Sequence, residues 1–145
     1  MPILAMTRLR LKSPWLLPRF LYLNEFAVAQ LRKAPGFLRG KLLAEPNLAM
    51  WTASLWNSEE SMREFYLAGA HKLLMGRLNE FGCEAIAGHI GYDSAELPSW
   101  QFVHEQLRKA GRFNGGLSEP SESHRNRTVA GPKFTFLTRP LSRKN

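Results

Sequence analysis

Between Leu48 and Trp56 the chain alternates with a two-residue period: Met50, Thr52, Ser54 and Trp56 point one way, Trp51, Ala53 and Leu55 the other. That pattern predicts a strand, and a helix start follows it at once. Asn57 or Ser58 can accept from the free amides of a first turn, and Glu59 and Glu60 complement its positive end. Met62, Phe65, Tyr66, Gly69, Ala70, Leu73, Leu74, Leu78 and Phe81 then recur at helical spacing, predicting one long helix to Phe81 laid on a sheet. A second stripe of Leu67, His71, Leu74, Met75 and Leu78 runs beside the first, as on a helix that touches two surfaces.

The same reading applied upstream predicts a strand over Ile3–Leu11, broken by Ser13-Pro14 and Pro18. A helix from Arg19 to Lys33 follows, with Phe20, Leu21, Leu23, Phe26, Ala27, Val28 and Leu31 as its apolar residues. Asn24 interrupts that face and is expected to be an amide satisfied by backbone. Ala34-Pro35-Gly36 ends the helix, Phe37–Glu45 reads as a second strand, and Cys83–Tyr92 as a fourth. The order β-α-β-β-α-β predicts an α+β ferredoxin-like subunit, an antiparallel sheet with two helices on one face. The opposite face needs a cover, and such sheets often pair with a copy of themselves. An amphipathic helix is expected over Pro98–Gly111, then a long mobile loop over residues 113–131. Phe134–Leu137 is expected to be a short strand returning to the sheet; otherwise the tail from Ser118 is disordered. The chain thus divides into a folded domain, residues 1–111, and a basic, largely irregular tail, residues 112–145.

Composition narrows the classes. The 145 residues are 44% hydrophobic and 22% charged, enough to bury a core in one domain. One cysteine, Cys83, excludes an intramolecular disulfide and any all-cysteine metal site. No apolar run reaches the ~20 residues of a transmembrane helix, and the start lacks a signal-peptide layout, so the expected location is cytoplasmic. The net charge of +8 is uneven: +7 over residues 1–41, −4 over 42–111 and +5 over 112–145. Nucleic-acid binding is not favoured, because the aromatics sit in core-forming segments rather than along a basic stripe. Solvated basic ends account for the charge, and contact with an anionic surface stays open.

The residues Ala34-Pro35-Gly36-Phe37, Thr52 to Trp56, Ser58, Glu59, Met62, Phe65 and His71 together resemble the dimeric α+β-barrel proteins. These include the antibiotic-biosynthesis-monooxygenase-like and spheroidene-monooxygenase-like groups. The ending Gly131-Pro132-Lys133-Phe134-Thr135-Phe136 is similar to that of a related group without an assigned reaction. The resemblance implies a homodimer of ferredoxin-like subunits with a mostly apolar pocket between each sheet and its helices. It also implies two cofactor states, none or haem. In haem-degrading members a helical histidine binds the iron, which by position would be His71, with Phe65 where those enzymes carry a tryptophan. The pocket asparagine of their first strand has no match in Ile3–Leu11.

Set against these expectations, His71 is the candidate catalytic base, or iron ligand if haem is bound; its alternative is a histidine at a packing contact. Trp56 and Phe65 are candidate walls for a small hydrophobic aromatic or polyene-like ligand, with Thr52 and Ser54 leaving room beside them; the alternative is core packing. Arg39 is a candidate anionic contact; together with Arg8, Arg10 and Lys41 it also reads as a solvated rim. No histidine pair has zinc-site spacing, and no nucleophile–base pair, phosphate loop or dinucleotide fingerprint is present. The reading is a monooxygenase-like protein, with a non-catalytic dimeric scaffold or regulatory protein of the same fold as the alternative.

Overall fold

The computed structural model describes residues 1–144. Six strands form one antiparallel sheet: β1 (Ile3–Leu11), β2 (Phe37–Ala44), β3 (Ala49–Trp56), β4 (Gly82–Gly91), β5 (Arg112–Phe113) and β6 (Thr138–Ser142). Their spatial order is β5-β4-β1-β3-β2-β6, so the inner four have the 4-1-3-2 order of a ferredoxin-like sheet. Helix α1 (Leu17–Lys33) connects β1 to β2; α2 (Glu59–Tyr66), α3 (Gly69–Met75) and α4 (Leu78–Phe81) connect β3 to β4. These four lie on one face. Helix α5 (Trp100–Ala110) lies on the other, and α6 (Glu122–Arg125) stands beside β4.

The expected helix to Phe81 is three helices, and glycine explains the first break. Ser58 caps α2, its Oγ accepting from the Ser61 amide at 3.1 Å. The run stops at Leu67, Ala68 is extended, and Gly69 takes φ +60°, a conformation that costs glycine little and other residues more. Leu67 consequently swings out to 71% exposure, so the second apolar stripe does not form as a stripe; only Leu74 and Leu78 of it are buried.

The face opposite α1 is filled by the chain itself. Leu4, Met6, Leu43, Trp51, Ala53, Leu55 and Ile86 pack against Trp100, Val103 and Leu107 of α5, all of them buried. The surface on which a second copy was expected is therefore occupied. The segment 113–131, expected to be a mobile loop, is tied to the sheet edge instead. Short strand β5 pairs with β4, the Ser121 amide donates to the Cys83 carbonyl at 2.8 Å, and His124 on α6 is buried. His124 accepts from the Ala85 amide through Nδ1 (3.3 Å) and donates from Nε2 to the Asn114 carbonyl (2.8 Å). The returning strand lies four residues later than expected: Thr135–Leu137 is a 3-10 turn, and Thr138–Ser142 pairs with β2. Leu141 is the reason for that register, because it is buried among the residues under α1.

Charge is also built into the interior. Glu84 accepts from Arg8 at 2.6 Å, Arg10 at 3.1 Å and the Ser121 hydroxyl at 3.0 Å, joining β1, β4 and the C-terminal segment. Burial raises the Glu84 carboxyl, but the two guanidiniums outweigh it and hold it below its ordinary value.

Candidate functional site

The helix-covered face of the sheet carries two separate apolar clusters. One gathers Ala5, Val28, Leu31, Phe37, Trp56, Met62, Phe65 and Leu141; the other gathers Leu9, Leu11, Phe20, Ala27, Leu74, Leu78, Phe81 and Ala85. Between them one row of side chains crosses the strands. Register places Ala87 beside Thr7, Thr7 beside Thr52, and Thr52 beside Leu42. Thr7, Thr52 and Leu42 are half-buried and Ala87 is exposed, whereas Ala5 and Ser54 on one side, and Ala85 and Leu9 on the other, are buried. The helices seal the sheet at both ends and leave this middle strip open. Three of its four side chains, Ala87, Thr7 and Thr52, are small, which lets a ligand approach the sheet there, while Leu42 packs against the first cluster.

Over that face stands a chain of linked side chains. The Trp56 indole donates to Ser54 Oγ at 2.9 Å. Tyr66 lies against Ser54; burial pushes its phenol up to about 12, with the Ser54 hydroxyl pulling weakly the other way, so the phenol stays protonated at neutral pH. The Tyr66 ring stacks on His71 at 4.8 Å and 21°, and Phe65 lies 4.6 Å from the same imidazole. Burial lowers the His71 pKa and so favours the neutral imidazole, an effect that the hydrogen bond to the Tyr66 carbonyl partly offsets. Nδ1 is 3.4 Å from that carbonyl, an acceptor, so Nδ1 carries the hydrogen and the lone pair is on Nε2. Nε2 has no protein partner among the described residues.

Gln30 of α1 sets this geometry. Its amide nitrogen donates to the carbonyls of Phe65 (3.3 Å) and Ala68 (2.9 Å), and its oxygen accepts from the His71 amide at 2.8 Å. One side chain thus bridges the break between α2 and α3 and satisfies a free amide of α3. Asn24 lies six residues upstream on α1, with Phe20, Ala27, Val28 and Leu31 on the same helix side. It is half-buried, and contrary to expectation its amide forms no hydrogen bond to protein among the described residues. It stands where the two clusters part.

The expected residues divide accordingly. Trp56, Ser54, Phe65 and His71 come together, and Thr52 lies in the open strip next to Ser54. Arg39 does not join them: a bulge between Phe37 and Arg39 pairs it with Leu55, placing it exposed on the α5 side of the sheet, between β3 and β6. Trp51 also faces α5, where its indole donates to Glu45 at 2.8 Å. Trp56 is fully buried and Phe65 is 7% exposed, so they wall the cluster rather than a slot. A macrocycle on His71 would need an apolar slot open beside Nε2. Phe65 and Tyr66 are instead packed against the imidazole itself, so these residues do not fit haem. Tyr66, Gln30, Thr7 and Ala87 carry no sequence signal of their own; only strand register and the helix break bring them here. Among the described residues no three His, Cys, Asp or Glu side chains converge as metal ligands.

No protein-family model matches the chain, and no curated protein matches it in sequence. Solved structures do match in fold. SnoaB, a cofactor-independent oxygenase from Streptomyces nogalater, is 16% identical with a TM-score of 0.54, over 68% of this chain and 98% of that one. Rv0793 from Mycobacterium tuberculosis is 12% identical with a TM-score of 0.59, over 66% of this chain and 100% of that one. A protein described as an antibiotic biosynthesis monooxygenase is 12% identical with a TM-score of 0.57, over 63% and 99%. The chain has the ferredoxin-like α+β fold of the antibiotic biosynthesis monooxygenase proteins. These proteins are covered almost whole, while about a third of this chain has no counterpart in them. Among the described residues no helix is long and apolar enough to cross a membrane.

Proposed function

We propose that the chain is a cofactor-independent, monooxygenase-like protein whose ligand is a small hydrophobic aromatic or polyene-like molecule lying along the strip Ala87–Thr7–Thr52–Leu42. The observation that carries this reading is the partly exposed row Ala87–Thr7–Thr52 between two buried clusters, bounded by Leu42, on the face that also bears a neutral His71 with Nε2 unpartnered among the described residues. The fold shared with a cofactor-independent oxygenase supports it.

His71 is the base in this reading. Nε2 takes a proton from an activated methylene next to an aromatic ketone, and the delocalised carbanion reduces dioxygen directly. The methylene becomes a carbonyl: one oxygen atom stays on carbon, and the other leaves as water with the two hydrogens. Tyr66, protonated, and Asn24, with a free amide, are donors for the oxygen of the enolate as charge develops. Sheet-to-sheet pairing of two copies is no part of this reading, since α5 fills that face.

The test is oxygen uptake by purified protein with a panel of polycyclic aromatic ketones bearing an activated methylene. The expected result is saturable consumption that falls roughly 10²–10⁴-fold in His71→Ala. Thr52→Phe, which fills the strip from β3, is expected to abolish binding while leaving the fold intact. If no ketone is consumed or bound and both substitutions change only stability, the scaffold reading replaces this one.

A further inference from the structure

We infer that the outer face of α1 docks on an anionic lipid surface, an inference that stands apart from the oxygenase reading. Arg19, Tyr22, Phe26 and Lys33 recur at helical spacing on the side of α1 away from the sheet, and Trp15 stands exposed in the turn that leads into it. Trp15 is 89% exposed, Tyr22 66% and Phe26 52%. Trp15 is held out by the 3-10 turn Pro14–Leu16, whose cap Ser13 accepts from its amide, and among the described residues it packs against no other ring. Helix α3 packs beside α1 and exposes Leu73, at 74%, and Lys72. These two residues share a shallow depression with Gly69, Gly76 and Arg77.

Charge identifies the partner. Arg19, Lys33 and Lys72 form no ion pair among the described residues, and Glu25, the acid on α1, is held by Arg139 at 2.5 Å. A second copy packed face to face would set Arg19 and Lys33 against their own like charges. An anionic bilayer meets the same surface without conflict. Trp and Tyr settle at headgroup depth, leucine and phenylalanine side chains enter the acyl boundary, and long basic side chains reach back to the phosphates. Aromatic and cationic side chains alternate along one exposed helix side, the pattern an anionic bilayer matches.

The experiment is co-sedimentation of the full chain with vesicles of phosphatidylcholine alone or admixed with phosphatidylserine, with tryptophan emission recorded in parallel. Trp51, Trp56 and Trp100 are buried, so a blue shift and quenching by brominated lipid would report on Trp15. The expected result is binding to the anionic vesicles that weakens with salt and falls roughly 100-fold in the triple variant Arg19→Gln/Lys33→Gln/Lys72→Gln. Tyr22→Ser/Phe26→Ser should also weaken it, and Trp15→Ala should remove the shift. Failure to bind either vesicle would overturn the inference, as would equal binding to both. So would a dimer in light scattering that the same exposed-residue variants abolish, since that would make the stripe an interface between copies.

Discussion

His71 owes its state to its neighbours, so its neighbours predict its behaviour. Burial depresses its pKa, so the protein binds fewer protons there than the unfolded chain does. The associated stability is fully present above the unfolded value of about 6.5 and is lost as pH falls from there toward the folded value. Oxygen consumption should follow the same direction, with an acid limb below the ordinary imidazole range that vanishes in His71→Ala; a pH–rate profile checks this. Gln30 is a positioning residue. Gln30→Ala removes three hydrogen bonds at the α2–α3 break and should cost roughly 1–3 kcal/mol in urea denaturation. Gln30→Glu keeps the acceptor for the His71 amide but loses both donations to carbonyls, and should recover little of that stability. In the sequence His71 stands out through an apolar stripe that does not form and through the family resemblance; its packing against Phe65 and Tyr66 follows from the helix break. The role of Gln30 was not legible there, because a partner 41 residues away becomes visible only once the helix break is known.

That break is decided at the level of the element. Residues 62–81 keep helical periodicity throughout, so pattern alone predicts one helix; the local cost at Gly69 divides it. A side chain at Gly69 would be strained at φ +60° and would also meet the Gln30 amide at about 3.1 Å. Gly69→Ala should therefore destabilise by more than the ~1 kcal/mol by which alanine ordinarily outscores glycine in a helix, with a lower thermal midpoint as the readout. The strands were more legible than the helices, because β1 and β3 alternate cleanly and their register follows from burying Leu4, Met6, Trp51 and Leu55 together. The open strip was invisible for the same reason in reverse. Thr7, Thr52 and Ala87 are unremarkable singly and meet only through pairing across three strands. The C-terminal segment hid its order in few contacts: a polar sequence is held by His124, Ser121 and one two-residue strand.

Across the molecule, α5 and the chain that follows it make the sheet self-sufficient. Leu107 is buried between α5 and the sheet, and Leu107→Ala should cost about 2–5 kcal/mol without changing the two clusters on the other face. A variant that loses stability but keeps oxygen consumption at low temperature would show that the two faces act separately. The Glu84 network behaves differently. Glu84→Ala leaves Arg8 charged and buried, with an expected loss of roughly 3–5 kcal/mol by chemical denaturation. In acid, the contribution of Glu84 is present above its unfolded value of about 4.3 and is lost as pH falls through its depressed folded value.

The two outermost strands have a further effect. On one side β5 is two residues long; on the other, β6 places Pro140 opposite Lys41 and carries Arg139. Neither edge offers a long, flat ladder of free amides to an incoming strand. At high concentration the native chain should therefore resist ordered fibril growth, and any solid that forms on long storage should be seeded by molecules that have first unfolded.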